Sequence, residues 1–245
     1  MGVLSHLFYP WGFLLQGVAI VHFIRRRPDT FWIYVILFLG PLGALVYLFA
    51  EVLPDAGLLR GSFRAFPRRK RIGELQVAIR DNPSAANFEE LGSLLLDDGK
   101  VQAAREAYNS AINARSNTLD TFYRRGVCAI LLGDAFAALP DLERTVAADP
   151  AYDFRRAGGL LAHAYAQTGQ LQRAETLFRQ VTVTSTASET YLNFAGLLAG
   201  QGRNAEAREW ALKVLAKKPA MHRYLQRRER PWFRQARALL KQLPA

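Results

Sequence analysis

Residues 119–152 read LDTFYRRGVCAILLGDAFAALPDLERTVAADPAY, and in them Phe122, Gly126 and Ala129 are followed by Gly133, Ala138, Leu142 and Pro150. Apolar and small residues at three- and four-residue steps on both sides of a glycine predict two amphipathic helices folded back on one another. The same order stands in three further places. Upstream it is Phe88, Leu91, Gly92, Leu95, Gly99, Ala104, Tyr108 and Ala111. Downstream it is Leu161, Ala162, Tyr165, Gly169, Ala174, Phe178 and Val181, then Tyr191, Phe194, Ala195, Leu198, Gly202, Ala207, Ala211, Val214 and Pro219. The turn glycines are 34, 36 and 33 residues apart. A period of that length marks helix pairs that bury their apolar faces by stacking.

This pattern resembles the tetratricopeptide repeat over roughly Ala85 to Met221. A small residue in the first helix and an alanine in the second let the pair approach closely, the glycine closes the turn, and a proline ends the unit. Pro150 and Pro219 fill the last role, whereas Ser116 and Thr186 stand there in repeats one and three, and Arg125 replaces a usual apolar residue in repeat two. These departures blur the register of repeats two and three by a residue or two. The resemblance implies a right-handed α-solenoid of about ten helices over 72–245, with repeats at about 85–118, 119–152, 155–188 and 188–221. Exposed ends of such a stack need covers. Leu75, Ala78 and Pro83 suggest a half repeat over 72–84. Trp232, Phe233, Ala236, Leu239, Leu240 and Leu243 suggest a basic capping helix within 222–245.

Ahead of the repeats lie two apolar runs, Val3 to Ile24 and Phe31 to Ala50, the second without a charge. At about 1.5 Å per residue each is long enough for a hydrocarbon core of roughly 30 Å. The basic leader and small-residue cleavage site of a signal peptide are missing. The expected fold class is therefore all-α: a two-helix transmembrane hairpin over 1–54, a basic juxtamembrane linker over 55–71, and the solenoid. Tyr9, Trp11, Trp32, Tyr34 and Tyr47 suit headgroup positions, and Trp11 equally suits packing on the second helix. Arg25, Arg26 and Arg27 join the runs, against six basic residues after them, which favours a two-pass protein of a bacterial inner membrane with its body in the cytoplasm. A re-entrant hairpin is the other reading. Trp32, Gly40-Pro41-Leu42-Gly43-Ala44 and Tyr47 resemble the N-terminal membrane segment of cardiolipin synthases and related phospholipase D-type proteins. That family's His-x-Lys-x-x-x-x-Asp signature is absent, so the resemblance implies an anchor and not lipid chemistry. Gly40, Pro41 and Gly43 also read simply as a kink with close helix packing.

The net charge of +11 is concentrated: residues 81–221 carry fifteen basic and sixteen acidic groups, 55–80 seven and two, and 222–245 seven and one. Arg60, Arg64, Arg68, Arg69, Lys70 and Arg71 are candidates for anionic lipid headgroups, each worth about 1 kcal/mol near such a surface. Arg223, Arg227, Arg228, Arg230, Arg234, Arg237 and Lys241 suit phosphates, an acidic protein, or plain solvation of a cap. Nucleic acid is not the expected partner.

No reaction centre assembles in the chain. His6, His22, His163 and His222 are scattered, and Cys128 is the one cysteine, so neither a metal cluster nor an internal disulfide is expected. No glycine-rich phosphate loop follows a strand. The expectation is a protein without enzymatic activity and without a cofactor. In the repeat family the first helices line a concave groove that binds peptides. On this chain those positions are Glu89, Ser93, Leu96 and Asp97; Asp120, Tyr123, Val127, Ile130 and Leu131; Arg156, His163 and Gln167; and Glu189, Asn193 and Ala199. Each of them either meets a ligand or contacts the next repeat. The Lys and Asn cluster with which chaperone-tail binders clamp a carboxylate is missing. Two functions follow: a membrane-anchored scaffold that recruits a protein or peptide, or an anionic-lipid-associated regulator of a membrane lipid enzyme. Oligomeric state stays open.

Overall fold

The computed structural model describes residues 3–26, 30–48, 50 and 58–244, and the side chains of 12–24, 30–48, 50 and 68–244. It forms two compact units, Met1–Arg71 and Ile72–Ala245.

In the first unit α1 (Val3–Arg26) packs against α2 (Phe31–Phe38) and α3 (Gly40–Tyr47). The charge-free run is thus two helices and not one. Gly40 adopts φ +57°, and Pro41 behind it disfavours an α-helical predecessor and has no N–H to continue the ladder. Eight residues span only about 12 Å. The longer α1 carries Gln16 and His22, whose polar atoms are satisfied inside the unit: Gln16 Nε2 donates to the Ile36 carbonyl at 3.0 Å, and His22 Nδ1 lies 2.9 Å from the Tyr47 hydroxyl. Among the described residues no helix is long and apolar enough to cross a membrane. The expected transmembrane hairpin is overturned, and with it the two-pass inner-membrane localisation. Trp32 and Tyr47 meet each other edge to face at 5.6 Å beside the buried Ala19, Ile36 and Ala44. The side chains of Tyr9, Trp11 and Arg25 to Arg27 lie outside the described residues. Gly43 is pressed so closely on the Val35 carbonyl that a Cβ would fall 2.0 Å from its oxygen. The kink reading of Gly40, Pro41 and Gly43 therefore fits, and the likeness to a phospholipase D-type anchor finds no support.

The second unit begins within α4 (Leu58–Asp81) and continues as α5 (Ala85–Asp97), α6 (Val101–Asn113), α7 (Leu119–Leu131), α8 (Ala135–Ala148), α9 (Arg156–Gln167), α10 (Leu171–Thr182), α11 (Ser188–Gly200) and α12 (Asn204–Ala216). Side-chain caps start several of these: Ser84 accepts from the Asn87 N–H, Thr118 from Thr121, and Asp134 from Ala137. Between the members of each pair the glycines at 99, 133, 169 and 202 take φ of +76° to +81°. The next N–H then reaches back to the helix, as from Lys100 to Leu95 at 2.9 Å and from Asp134 to Ala129 at 2.9 Å, which caps the orphan carbonyls. The alanines at 104, 138, 174 and 207 are fully buried, so each second helix lies close on the first.

Successive pairs stack. Phe178 and Phe194 overlap at 5.2 Å between repeats three and four. Arg179 and Arg203 bind Glu175 and Glu206 in a network joining α10 to α12. At the upstream end Ile72 and Leu75 bury against Leu91, Leu95 and Tyr108. Downstream, α13 (Arg223–Arg228) leads into α14 (Arg230–Gln242), where Phe233 and Ala236 close over Leu192 and Val214.

Candidate functional site

The four first helices, α5, α7, α9 and α11, carry every residue expected in the groove, and the structure divides those residues into two groups. In the upstream half most are engaged within the chain. The Glu89 carboxylate accepts from the hydroxyls of Ser116, Thr118 (3.0 Å) and Thr121 (2.6 Å), tying α5 to the start of α7. Burial alone would raise its pKa, but the three hydroxyls outweigh it and hold the group below the usual range. Ser93 bonds the Tyr108 hydroxyl at 3.1 Å, and Asp97 stands exposed at the end of α5. Asp120 accepts from Arg124 at 2.5 Å and from Tyr152 at 2.8 Å. Val127 is buried and Ile130 packs on the same core, so both are structural. Leu131 is 60% exposed.

A polar chain crosses the middle of the groove. Tyr123 is buried, its ring 5.0 Å from that of Tyr152, and its hydroxyl donates to Asp153. Burial pushes the Tyr123 phenol upward. Arg156 Nε donates to Glu189 at 2.8 Å, while its Nη1 reaches the Tyr123 hydroxyl at 3.4 Å and lies 3.6 Å from Asp153. Burial opposes the Arg156 charge, but Glu189 restores it and raises the pKa.

The downstream half is different. His163, Gln167 and Asn193 line a cleft of about 370 Å³ between α9 and α11, together with Ala166, Leu171, Leu192, Gly196, Leu197, Gly200 and Gln201. Burial pushes the His163 imidazole below its ordinary value, with Glu189 opposing in part. The imidazole is accordingly neutral at pH 7.

Four contributors went unread in the sequence. Asp153 and Tyr152 belong to the loop before α9, and the 36-residue spacing of Gly133 and Gly169 is the signal of its extra length. Gly196 and Gly200 open the cleft; Gly196, inside α11 where no turn requires a glycine, is the cue, whereas Gly200 is the last residue of that helix.

Other candidates stand apart. On α4, Arg69, Lys70 and Arg71 are exposed and Arg68 is half-buried, while the side chains of Arg60 and Arg64 lie outside the described residues. Cys128 is buried, and burial pushes its thiol up to about 11, away from nucleophilic use. Among the described residues no three His, Cys, Asp or Glu side chains group to hold a metal ion.

The architecture is that of a tetratricopeptide repeat protein, and solved structures match it. A crystal structure of YrrB, described as a TPR protein with an unusual peptide-binding site, superposes with a TM-score of 0.56 at 20% identity over 67% of this chain and 83% of that one. MamA from Desulfovibrio magneticus RS-1 gives 0.57 at 21% identity over 68% and 94%. A thermophilic TPR protein from Thermus thermophilus gives 0.51 at 21% identity over 76% and 99%. At such identities the likeness is one of fold. In sequence, 100 residues of the chain, 41% of it, are 30% identical to DnaJ homolog subfamily C member 3 of Mus musculus and of Homo sapiens. The chain spans about a fifth of the length of these relatives, 19%. No protein-family model matches it.

Proposed function

We propose that this chain is a non-enzymatic adaptor whose concave face, built by α5, α7, α9 and α11, receives a peptide segment of a protein partner. The observation that carries this reading is the division of the groove. Upstream its polar groups are largely consumed by internal bonds. Between α9 and α11 an open cleft is edged by Gln167, Asn193 and His163, whose side chains form no hydrogen bond with other described residues. The fold shared with a peptide-binding repeat protein, YrrB, points the same way. An adaptor of this kind acts by raising the local concentration of what it holds.

Capture of partners by the full chain tests it. Leu131→Glu and Gln167→Glu alter exposed groove positions without touching the core, unlike changes at Tyr123 or Ile130. Loss of the captured proteins in both variants, with thermal midpoints unchanged, is the expected result. Retrieval of an identical set by wild type and both variants overturns the groove assignment.

A further inference from the structure

We infer that the cleft between α9 and α11 is a socket for one bulky apolar side chain within an uncharged, extended stretch of a peptide. The inference rests on the groove reading above and specifies the chemistry of what lies there.

Three observations lead to it. First, the walls are apolar: Leu192 and Leu197 are buried beneath the opening and Leu171 remains 42% exposed at its edge. Second, the space is real. A Cβ built on Gly196 or on Gly200 would meet nothing within 4 Å, so these helical glycines leave room that any side chain would fill. The volume lies toward the small end of clefts that enclose a ligand, which range over roughly 300–1,000 Å³. It suits one large side chain and not an extended apolar face.

Third, the rim is polar and most of its hydrogen-bonding capacity is open. Among the described residues no carboxylate, guanidinium or ammonium lines the cleft. Gln167, Asn193 and the His163 ring form no hydrogen bond with other described residues, and Gln201 keeps its amide N–H groups while its oxygen accepts from Arg203 at 3.3 Å. A primary amide offers both donors and an acceptor, the complement of the N–H and C=O that an extended backbone presents on either side of an anchored residue. The nearby ionic groups of α9 and α11, Arg156 and Glu189, are bound to one another at 2.8 Å. A charge placed in the cleft would give up part of its water and meet no carboxylate, guanidinium or ammonium among the lining residues. Hydrophobic anchoring with amide flanks is what remains.

The test is selection of a random peptide library displayed on phage against the full chain, followed by affinity measurement on the enriched peptides. Enriched peptides are expected to share one Leu, Phe, Met or Trp with uncharged immediate neighbours. Gly196→Leu and, independently, Gly200→Leu plug the socket from within and should weaken those peptides about ten- to hundredfold, the equivalent of one buried large side chain. Because a Cβ on either glycine meets nothing within 4 Å and the leucine side chain has the open cleft to enter, both variants should keep the wild-type thermal midpoint or exceed it. A consensus built on charged residues overturns the socket. So does equal affinity of wild type and both plugged variants, and if Leu131→Glu still abolishes binding there, the groove reading survives alone. A selection that enriches nothing over background removes both.

Discussion

The guanidinium of Arg125 on α7 grips the carboxylate of Asp141 on α8 with two parallel bonds, Nε to Oδ2 and Nη2 to Oδ1, each 2.7 Å. The arginine stands where repeats of this type carry an apolar residue, so an ion pair replaces a hydrophobic contact inside repeat two. Its two ends are not equivalent. Asp141 is 3% exposed, whereas the Arg125 side chain is 26% exposed and also donates to Asn109 at 3.0 Å. Arg125→Leu should therefore cost about 3–5 kcal/mol, because it strands a buried carboxylate. Asp141→Leu should cost less, about 1–3 kcal/mol, since the freed guanidinium turns to water. The double variant should return close to the wild-type urea midpoint. A double variant as unstable as Arg125→Leu would mean that the pair contributes through more than its own charges.

Glu89 makes a pH-dependent staple between repeats one and two. Its folded pKa is depressed below an unfolded value near 4.5, so the unfolded chain takes up its proton first as the medium is acidified. Its contribution is present above that value and is lost as pH falls through the folded one. Glu89→Gln should cost about 1–3 kcal/mol at pH 7, where the charged acceptor serves three hydroxyls. At about pH 3 the gap to wild type should narrow. Denaturation midpoints measured at both pH values check this, and a gap that widened on acidification would contradict the assignment.

Two glycines of the facing helices α9 and α11 should respond in opposite directions to the same substitution. A Cβ on Gly159 would fall 2.3 Å from the hydroxyl oxygen of Thr190, a residue 1% exposed in the packed contact of α9 with α11. Gly159→Ala should destabilise by about 1–3 kcal/mol through overpacking. Gly196→Ala adds a methyl group to open space in the middle of α11 and should stabilise by about 0.5–1 kcal/mol. Thermal unfolding of the two variants side by side reads the sign directly.

The repeat was legible because its determinants are local and obligatory. A left-handed turn needs glycine at 99, 133, 169 and 202, and close helix pairs need alanine at 104, 138, 174 and 207, so packing writes a period into the sequence. The groove was legible as a set of positions but not as a set of available side chains. Whether Glu89 faces a ligand or binds Ser116 depends on contacts between repeats, and Ser116 stands just where a closing proline is missing. The N-terminal run misled for another reason. Hydropathy sums over Phe31 to Ala50 weigh burial and ignore backbone geometry, whereas Gly40 and Pro41 decide the path of the chain. The extra length between Gly133 and Gly169 announced a longer loop but not its conformation.

That loop carries the last prediction. Asp153, Phe154 and Arg155 occupy the left-handed region in succession, with φ of 48°, 53° and 67°. Each such residue costs an L-amino acid roughly 1–2 kcal/mol, and asparagine and aspartate least. For Asp153 the compensation is visible, since its carboxylate accepts from Tyr123 and faces Arg156. Phe154 has none, for its ring is 94% exposed. Phe154→Asn should therefore raise stability by about 0.5–1 kcal/mol, relieving strain without the entropy penalty of glycine. Asp153→Ala should lower it, by loosening Tyr123 and leaving Arg156 to Glu189 alone. Opposite shifts of the thermal midpoint at adjacent positions would show that the loop is held in its strained path by the polar chain across the groove. A fall for Phe154→Asn would mean that the ring itself anchors the turn.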